Sequence, residues 1–167
     1  MIRVWVTEEM KNEAQAQIEV FKNSPNGKWR YKGVKAWRGV VCELITSRWL
    51  TDNYNVQKEA EGIDDSGIFD LCDMVIDDKM VELKSATEAG YRYIMPKVYN
   101  VINRPKDIYI ASRYNDRTEQ HLVEIMGFCT SAFVRSCPEG KNKGAAYYQV
   151  PLIELNSIHN LPFERKL

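Results

Sequence analysis

Hydrophobic positions change their period once along this chain, from helical spacing in the first third to alternation beyond it. A short strand is predicted at Ile2 to Val6, and Met10, Ala14, Ile18 and Phe21 then recur at the spacing of one helix face. Thr7 stands at the N-cap position of that helix, with Glu8 and Glu9 in the first turn, where carboxylates favour the helix dipole. Pro25 to Gly27 end it. Trp37, Val40, Val41, Leu44, Ile45 and Trp49 predict a second helix over about residues 36–50, apolar around more than half its circumference and therefore central. Residues 53–70 read as a loop.

From residue 73 the period is two. Alternating runs on either side of Asp77-Asp78 predict a β-hairpin over 73–84. With those two residues as the loop, Ile76 faces Lys79, Val75 faces Met80, Met74 faces Val81 and Asp73 faces Glu82. Glu82 and Lys84 then share one face, while Met74, Ile76, Val81 and Leu83 make the other wholly apolar. A four-residue loop sets Asp73 against Lys84 instead and leaves the three charged groups on one face. Residues 86–101 predict a partial helix interrupted by Pro96. Residues 107–112, 122–126 and 146–150 predict strands, and Thr130 predicts the cap of a short helix to about Val134. Helices first, then hairpin, helix and strands, indicate an α/β fold with a central mixed sheet flanked by helices.

The 167 residues suit a single domain with one sizeable core, a catalytic core over about 36–155 and a strand-helix extension over 1–35. An apolar share of 44% and a charged share of 28% are those of a soluble globular protein, and exclude disordered, collagen-like and disulfide-scaffold classes. No apolar run is long enough to span a membrane and the start does not resemble a signal peptide, so an intracellular, unsecreted protein without a membrane partner is expected. Cys42, Cys72, Cys129 and Cys137 include no C-x-x-C pair and are expected as free thiols, with Cys72 in the core. His121 and His159 lie far from the hairpin and are expected to be structural.

Lys plus Arg and Asp plus Glu both number 23, and the zero sum hides segregation. Residues 28–38 hold Lys28, Arg30, Lys32, Lys35 and Arg38 with Trp29, Tyr31 and Trp37 between them and no acid. Residues 59–78 hold eight carboxylates and no base. Lys97, Arg104, Lys106, Arg113 and Arg117 follow, and Lys141-Asn-Lys143 adds a basic loop. Basic flanks around an acidic centre suit a polyanionic partner such as DNA: cations hold phosphates and carboxylates hold a metal. Trp29 and Tyr31 offer faces for an unpaired base, or equally core packing.

Two carboxylates on one hairpin face repel each other unless a cation lies between them. Mg²⁺ resolves that conflict, since it takes one or two carboxylates, water and phosphate oxygens and makes its water a better nucleophile. A lysine two residues on can orient that water or stabilise charge building on a phosphate. The bland alternative for Glu82 and Lys84 is the exposed face of an edge strand.

Asp73 followed by Glu82-Leu83-Lys84, with Glu43 on the preceding helix in Arg38-Gly-Val-Val-Cys-Glu43, resembles the PD-(D/E)xK nuclease superfamily, of restriction-endonuclease-like fold. The resemblance spans about Gly39 to Leu155. It implies Asp73 and Glu82 as metal ligands, the Leu83 backbone carbonyl as a further ligand, Lys84 as the water-positioning or charge-stabilising residue, and Glu43 reaching the metal through water. Cys72 stands where the family name has proline, and Asp70 is a rival first aspartate. The implied activity is a Mg²⁺-dependent nuclease, with Mn²⁺ substituting, most simply an endonuclease on DNA. Lys28, Arg30, Lys32, Lys35, Arg38, Lys97, Lys141 and Lys143 are the implied nucleic-acid contacts, and a homodimer would favour cutting of two strands. The alternative is a non-cutting nucleic-acid-binding or protein-interaction module on the same fold.

Overall fold

The computed structural model describes residues 1–22, 35–59, 73–142 and 144–166. Lys28, Trp29, Arg30, Tyr31, Lys32, Asp70, Cys72 and Lys143 lie outside the described residues. The protein is α/β, with a six-stranded, mixed and strongly curled sheet packed against helices.

Strand β1 (Ile2–Trp5) leads into helix α1 (Glu8–Lys22), where the Thr7 hydroxyl accepts from the Met10 amide at 3.2 Å as the expected cap. Helix α2 (Trp37–Asn53) is the longest and buries Val40, Val41, Ile45 and Leu50. Strands β2 (Val56–Glu59), β3 (Met74–Ile76) and β4 (Lys79–Ala86) follow, then β5 (Tyr93–Ile94), α3 (Val98–Asn103), β6 (Ile108–Asn115) and β7 (Leu122–Thr130). The short helix α4 (Ser131–Ser136) is capped by Thr130, whose hydroxyl accepts from the Phe133 amide at 3.3 Å. Strands β8 (Glu139–Asn142), β9 (Ala145–Tyr148) and β10 (Val150–Pro151) complete the set.

The sheet runs β1-β7-β6-β4-β3-β2, and its pairs are antiparallel except β4 with β6. Three expectations differ from this. Part of the expected 53–70 loop is β2, which needs β3 as its partner and so has no local signal. The expected partial helix over 86–101 is met only from Val98 onward, in α3; before it β4 runs on to Ala86, residues 88–90 form a turn and Ile94 pairs with Val150. The expected basic loop at 141–143 includes the end of β8, paired with β9.

Alternation along β4 divides the packing. Val81 and Leu83 join Leu50, Ile76, Ile110 and Ile125 in one core, while Ala86 joins Ile94, Tyr109 and Tyr148 in another. Ala14 and Ile18 pack with Val41, Ile45 and Tyr114, so α1 seals the end of α2. Ile158, Leu161 and Phe163, beyond residue 155, also enter the core beside Leu50 and Ile76.

The hairpin takes the two-residue loop, with Met74 opposite Val81, Val75 opposite Met80 and Ile76 opposite Lys79. Asp77 and Asp78 have φ of 48° and 58°, the left-handed pair a tight hairpin turn demands and that Asn-Gly meets with less strain. The turn is pinned by the Gln57 side chain, which accepts from the Asp78 amide at 2.6 Å, and by the Asp77 carboxylate, which accepts from the Glu164 amide at 2.7 Å. Asp77→Asn with Asp78→Gly keeps both contacts and is expected to raise stability by about 0.5–1 kcal/mol. Urea unfolding reads this, and a lowered midpoint contradicts it.

Cys42, Cys129 and Cys137 are free thiols, the first two buried. Burial pushes both the Cys42 and the Cys129 thiol up to about 12, so neither forms thiolate near neutrality. Iodoacetamide at pH 8 should therefore leave the peptides carrying these two residues unlabelled until urea is added. Labelling at a free-thiol rate in the native protein contradicts that burial.

Candidate active site

β3 is short and β4 is long, and their mismatch creates the site. Among the described residues the ladder ends at Met74 opposite Val81, while β4 continues to Ala86 with no described strand paired to it on that edge. Asp73 fills the gap. Its amide donates to the Val81 carbonyl at 3.0 Å, and its carboxylate accepts from the Leu83 amide at 2.6 Å. Asp73 therefore leaves the ladder one residue early, and the expected direct strand pairing of Asp73 with Glu82 is replaced by a carboxylate cap on the β4 edge. In an extended strand the N–H and C=O of one residue leave on the same side, so the Leu83 carbonyl points to the edge that Asp73 occupies.

Glu82 is only 9% exposed, beside Tyr109 of β6 and one residue past the last β3 pairing. The exposed face of an edge strand is thus not what these residues form. A buried carboxylate requires a partner, and Glu82 Oε1 accepts from Lys84 Nζ in a short ion pair. Burial alone would lower the Lys84 pKa, but Glu82, Asp73 and Glu43 outweigh it and hold the ammonium above the ordinary lysine value. Gly39 of α2 rests against Ser85 and Thr87 of the β4 segment, and Glu43 stands one helical turn further along with an exposed side chain. Glu82 is in direct contact with the ammonium, and the charges of Asp73 and Glu43 add to the rise.

Among the described residues, no three of His, Cys, Asp and Glu converge as a ready cage for a metal. Mg²⁺ needs no such cage, because one or two carboxylates and its own waters suffice. The donor set fits a hard, hydrated divalent cation: the Asp73 carboxylate sits on the Leu83 amide, and the neighbouring Glu82 carboxylate is paired with the Lys84 ammonium.

The expected phosphate contacts fare differently. Arg38 is 8% exposed and donates to Asp116 Oδ2 at 2.8 Å, with its guanidinium 4.8 Å from the Tyr114 ring centroid. It is an internal tie rather than a surface cation. Burial would raise the Asp116 pKa, but hydrogen bonds from Arg38 and the Ala89 amide hold it below the usual carboxylate range. Arg113 is likewise committed, donating from Nε and Nη2 to buried Glu124 at 2.9 and 2.6 Å, and Lys106 is buried. Lys35 is exposed and paired with Glu88 at 3.0 Å. Lys97 and Lys141 are exposed, at the corner where Lys97 bridges to Tyr147 and Lys141 pairs with Ala146. His121 accepts or donates at Nδ1 to the Tyr114 hydroxyl at 2.7 Å, a structural role as expected.

One neighbour of the site was not legible. Tyr109 of β6 stands beside Glu82 in the parallel register. Burial raises its pKa first, and the Glu82 charge adds to the rise. Parallel partners are remote in sequence, and only an alternating strand at 107–112 points to it.

No protein-family model matches the chain, and comparison with curated proteins finds no match. Among the described residues no helix is long and apolar enough to cross a membrane.

Proposed function

We propose that the protein is a divalent-metal-dependent nuclease of restriction-endonuclease-like fold that hydrolyses phosphodiester bonds in DNA. The observation that carries this reading is the Asp73 carboxylate seated on the Leu83 amide next to the Glu82–Lys84 ion pair, which sets two acids and an ammonium at three successive positions of β4.

In this reading Asp73 and Glu82 hold Mg²⁺, with the Leu83 carbonyl on the same edge and Glu43 as an outer acidic group. Bound there, the ion supplies charge neutralisation at the scissile phosphate and an acidified water. Lys84, paired with Glu82, would place its ammonium where it can orient the attacking water or meet the charge that grows on the phosphate. Its raised pKa favours these donor roles over removal of a proton. Glu82, being buried, is positioned by its strand rather than by solvent, which fixes the geometry before substrate arrives.

The second reading is a non-cutting module that binds nucleic acid or protein. Mn²⁺ titration by calorimetry separates the two. The nuclease reading expects one site whose affinity falls at least tenfold in Asp73→Asn, because a carboxylate ligand becomes a neutral amide; metal binding that is absent, or indifferent to Asp73, contradicts it.

A further inference from the structure

Half of the exposed large hydrophobic side chains among the described residues fall between Tyr91 and Ile102. Tyr91, Tyr93, Met95 and Tyr99 are 48%, 45%, 43% and 60% exposed. Single exposed apolar residues are ordinary, whereas a contiguous group marks a contact surface. Over 93–97 the exposure alternates, with Tyr93, Met95 and Lys97 outward and Ile94 and Pro96 buried between them, and Tyr91 and Arg92 just before are both exposed. It is also held firmly. Tyr93 and Ile94 pair with Pro151 and Val150, the Leu152 amide donates to the Arg92 carbonyl at 2.9 Å, and the Tyr148 amide donates to the Pro96 carbonyl at 3.0 Å.

Charge restricts the partner. Residues 89–106 contain Arg92, Lys97, Arg104 and Lys106 and no Asp or Glu, and Arg92 and Lys97 are exposed. Tyrosine faces interleaved with cations on a rigid ribbon match an unpaired nucleic-acid strand, whose bases stack on rings while its phosphates take the cations. The ribbon is also next to the candidate site. Buried Ile94 packs with Ala86 and Tyr109, Ala86 lies two residues beyond Lys84 on the same face of β4, about 7 Å along the strand, and Tyr109 stands beside Glu82.

We propose that this ribbon, together with Tyr99 in the first turn of α3 that follows it, is a stacking platform for single-stranded DNA, with Tyr91, Tyr93 and Tyr99 taking bases and Arg92 and Lys97 taking phosphates. Resting on the nuclease reading, it makes the substrate a branched, flapped or gapped DNA with an unpaired segment beside the scissile bond, rather than an uninterrupted duplex.

The test is fluorescence anisotropy in EDTA with a labelled 20-nucleotide strand of mixed sequence and the same sequence as a blunt duplex. The intact protein is expected to bind the single strand at least tenfold more tightly. Tyr93→Ala with Tyr99→Ala should weaken single-strand binding at least tenfold and leave duplex binding within twofold, and the paired Phe substitutions should retain wild-type affinity because the ring face is kept. Arg92→Ala with Lys97→Ala reads the same surface independently, as a shallower dependence of affinity on salt. Equal affinity for the two DNA forms, or alanine variants that bind the single strand unchanged, overturns the platform. Binding to neither form overturns it in favour of protein docking. Cleavage is read separately in Mg²⁺. A protein that cuts without strand preference overturns the platform and leaves the nuclease reading. One that shows the preference and never cuts upholds the platform and overturns the nuclease.

Discussion

Lys84→Ala and Glu82→Gln are each expected to lower Mg²⁺-dependent DNA cleavage at least a hundredfold. Removal of one donor that stabilises transition-state charge costs about 2.7–4 kcal/mol, and loss of a carboxylate ligand weakens both the ion and its water. The two substitutions differ in what they do to the fold. Glu82 is buried and Lys84 is its ion-pair partner, so Lys84→Ala leaves a carboxylate without its cation inside the sheet. The Lys84 side chain is itself 31% exposed, which moderates the penalty to about 1–3 kcal/mol of stability. Glu82→Gln keeps the shape and an acceptor for Lys84 and should unfold near the wild-type urea midpoint. Single-turnover cleavage rates, read beside urea unfolding, separate a chemical loss from a structural one. Rates within tenfold of wild type in either variant contradict the proposed roles.

Gly127→Ala is expected to destabilise the protein by about 2–4 kcal/mol, the largest effect foreseen away from the candidate site. The chain crosses β7 here on its way to the C-terminus: the Phe128 amide donates to the Asn156 carbonyl at 3.0 Å, and the Asn156 amide donates back to the Phe128 carbonyl at 2.9 Å. A Cβ on Gly127 would meet the Asn156 carbonyl oxygen at 2.3 Å and Leu155 Cβ at 2.9 Å. Neither obstacle is the far end of a flexible side chain, so backbone must move. What moves is the lead into Ile158, Leu161 and Phe163, which seal the core beside Leu50 and Ile76. Gly144, by contrast, has open space around its Cβ position and a φ of 82°, so substitution there strains the backbone without a clash. Thermal and urea unfolding of Gly127→Ala decide the matter, and a midpoint equal to wild type contradicts the crowding.

Local signals in the sequence carried far where neighbours in sequence are neighbours in space. The helix caps at Thr7 and Thr130, the apolar stripe of α2 and the hairpin register all follow from spacing within a dozen residues, and the structure agrees with each. On that hairpin the Asp73 carboxylate meets the Leu83 amide and Glu82 meets Lys84. Non-local pairing was illegible. β2 exists because β3 lies beside it, and Tyr93 and Ile94 are extended because β10 pairs with them. Counting charges also overstated the free cations: Arg38 and Arg113 are spent on Asp116 and Glu124 inside the fold, and no local pattern reveals such partners. Asp73 illustrates both sides. Its place beside β4 followed from the register, yet its departure from the ladder to cap Leu83 depends on β3 ending where it does.

Cleavage by the unaltered protein is the most direct measurement. Purified protein, incubated with supercoiled plasmid and with a flapped oligonucleotide duplex in 5–10 mM Mg²⁺, a concentration of the order at which weak aqueous Mg²⁺ sites fill, should nick or cut DNA, and excess EDTA should abolish the reaction. Restoration by Mn²⁺ but not by Glu82→Gln protein would complete the expected pattern. Cleavage that persists in EDTA, or a folded protein that leaves every DNA intact in either metal, would contradict a metal-dependent nuclease at Asp73, Glu82 and Lys84.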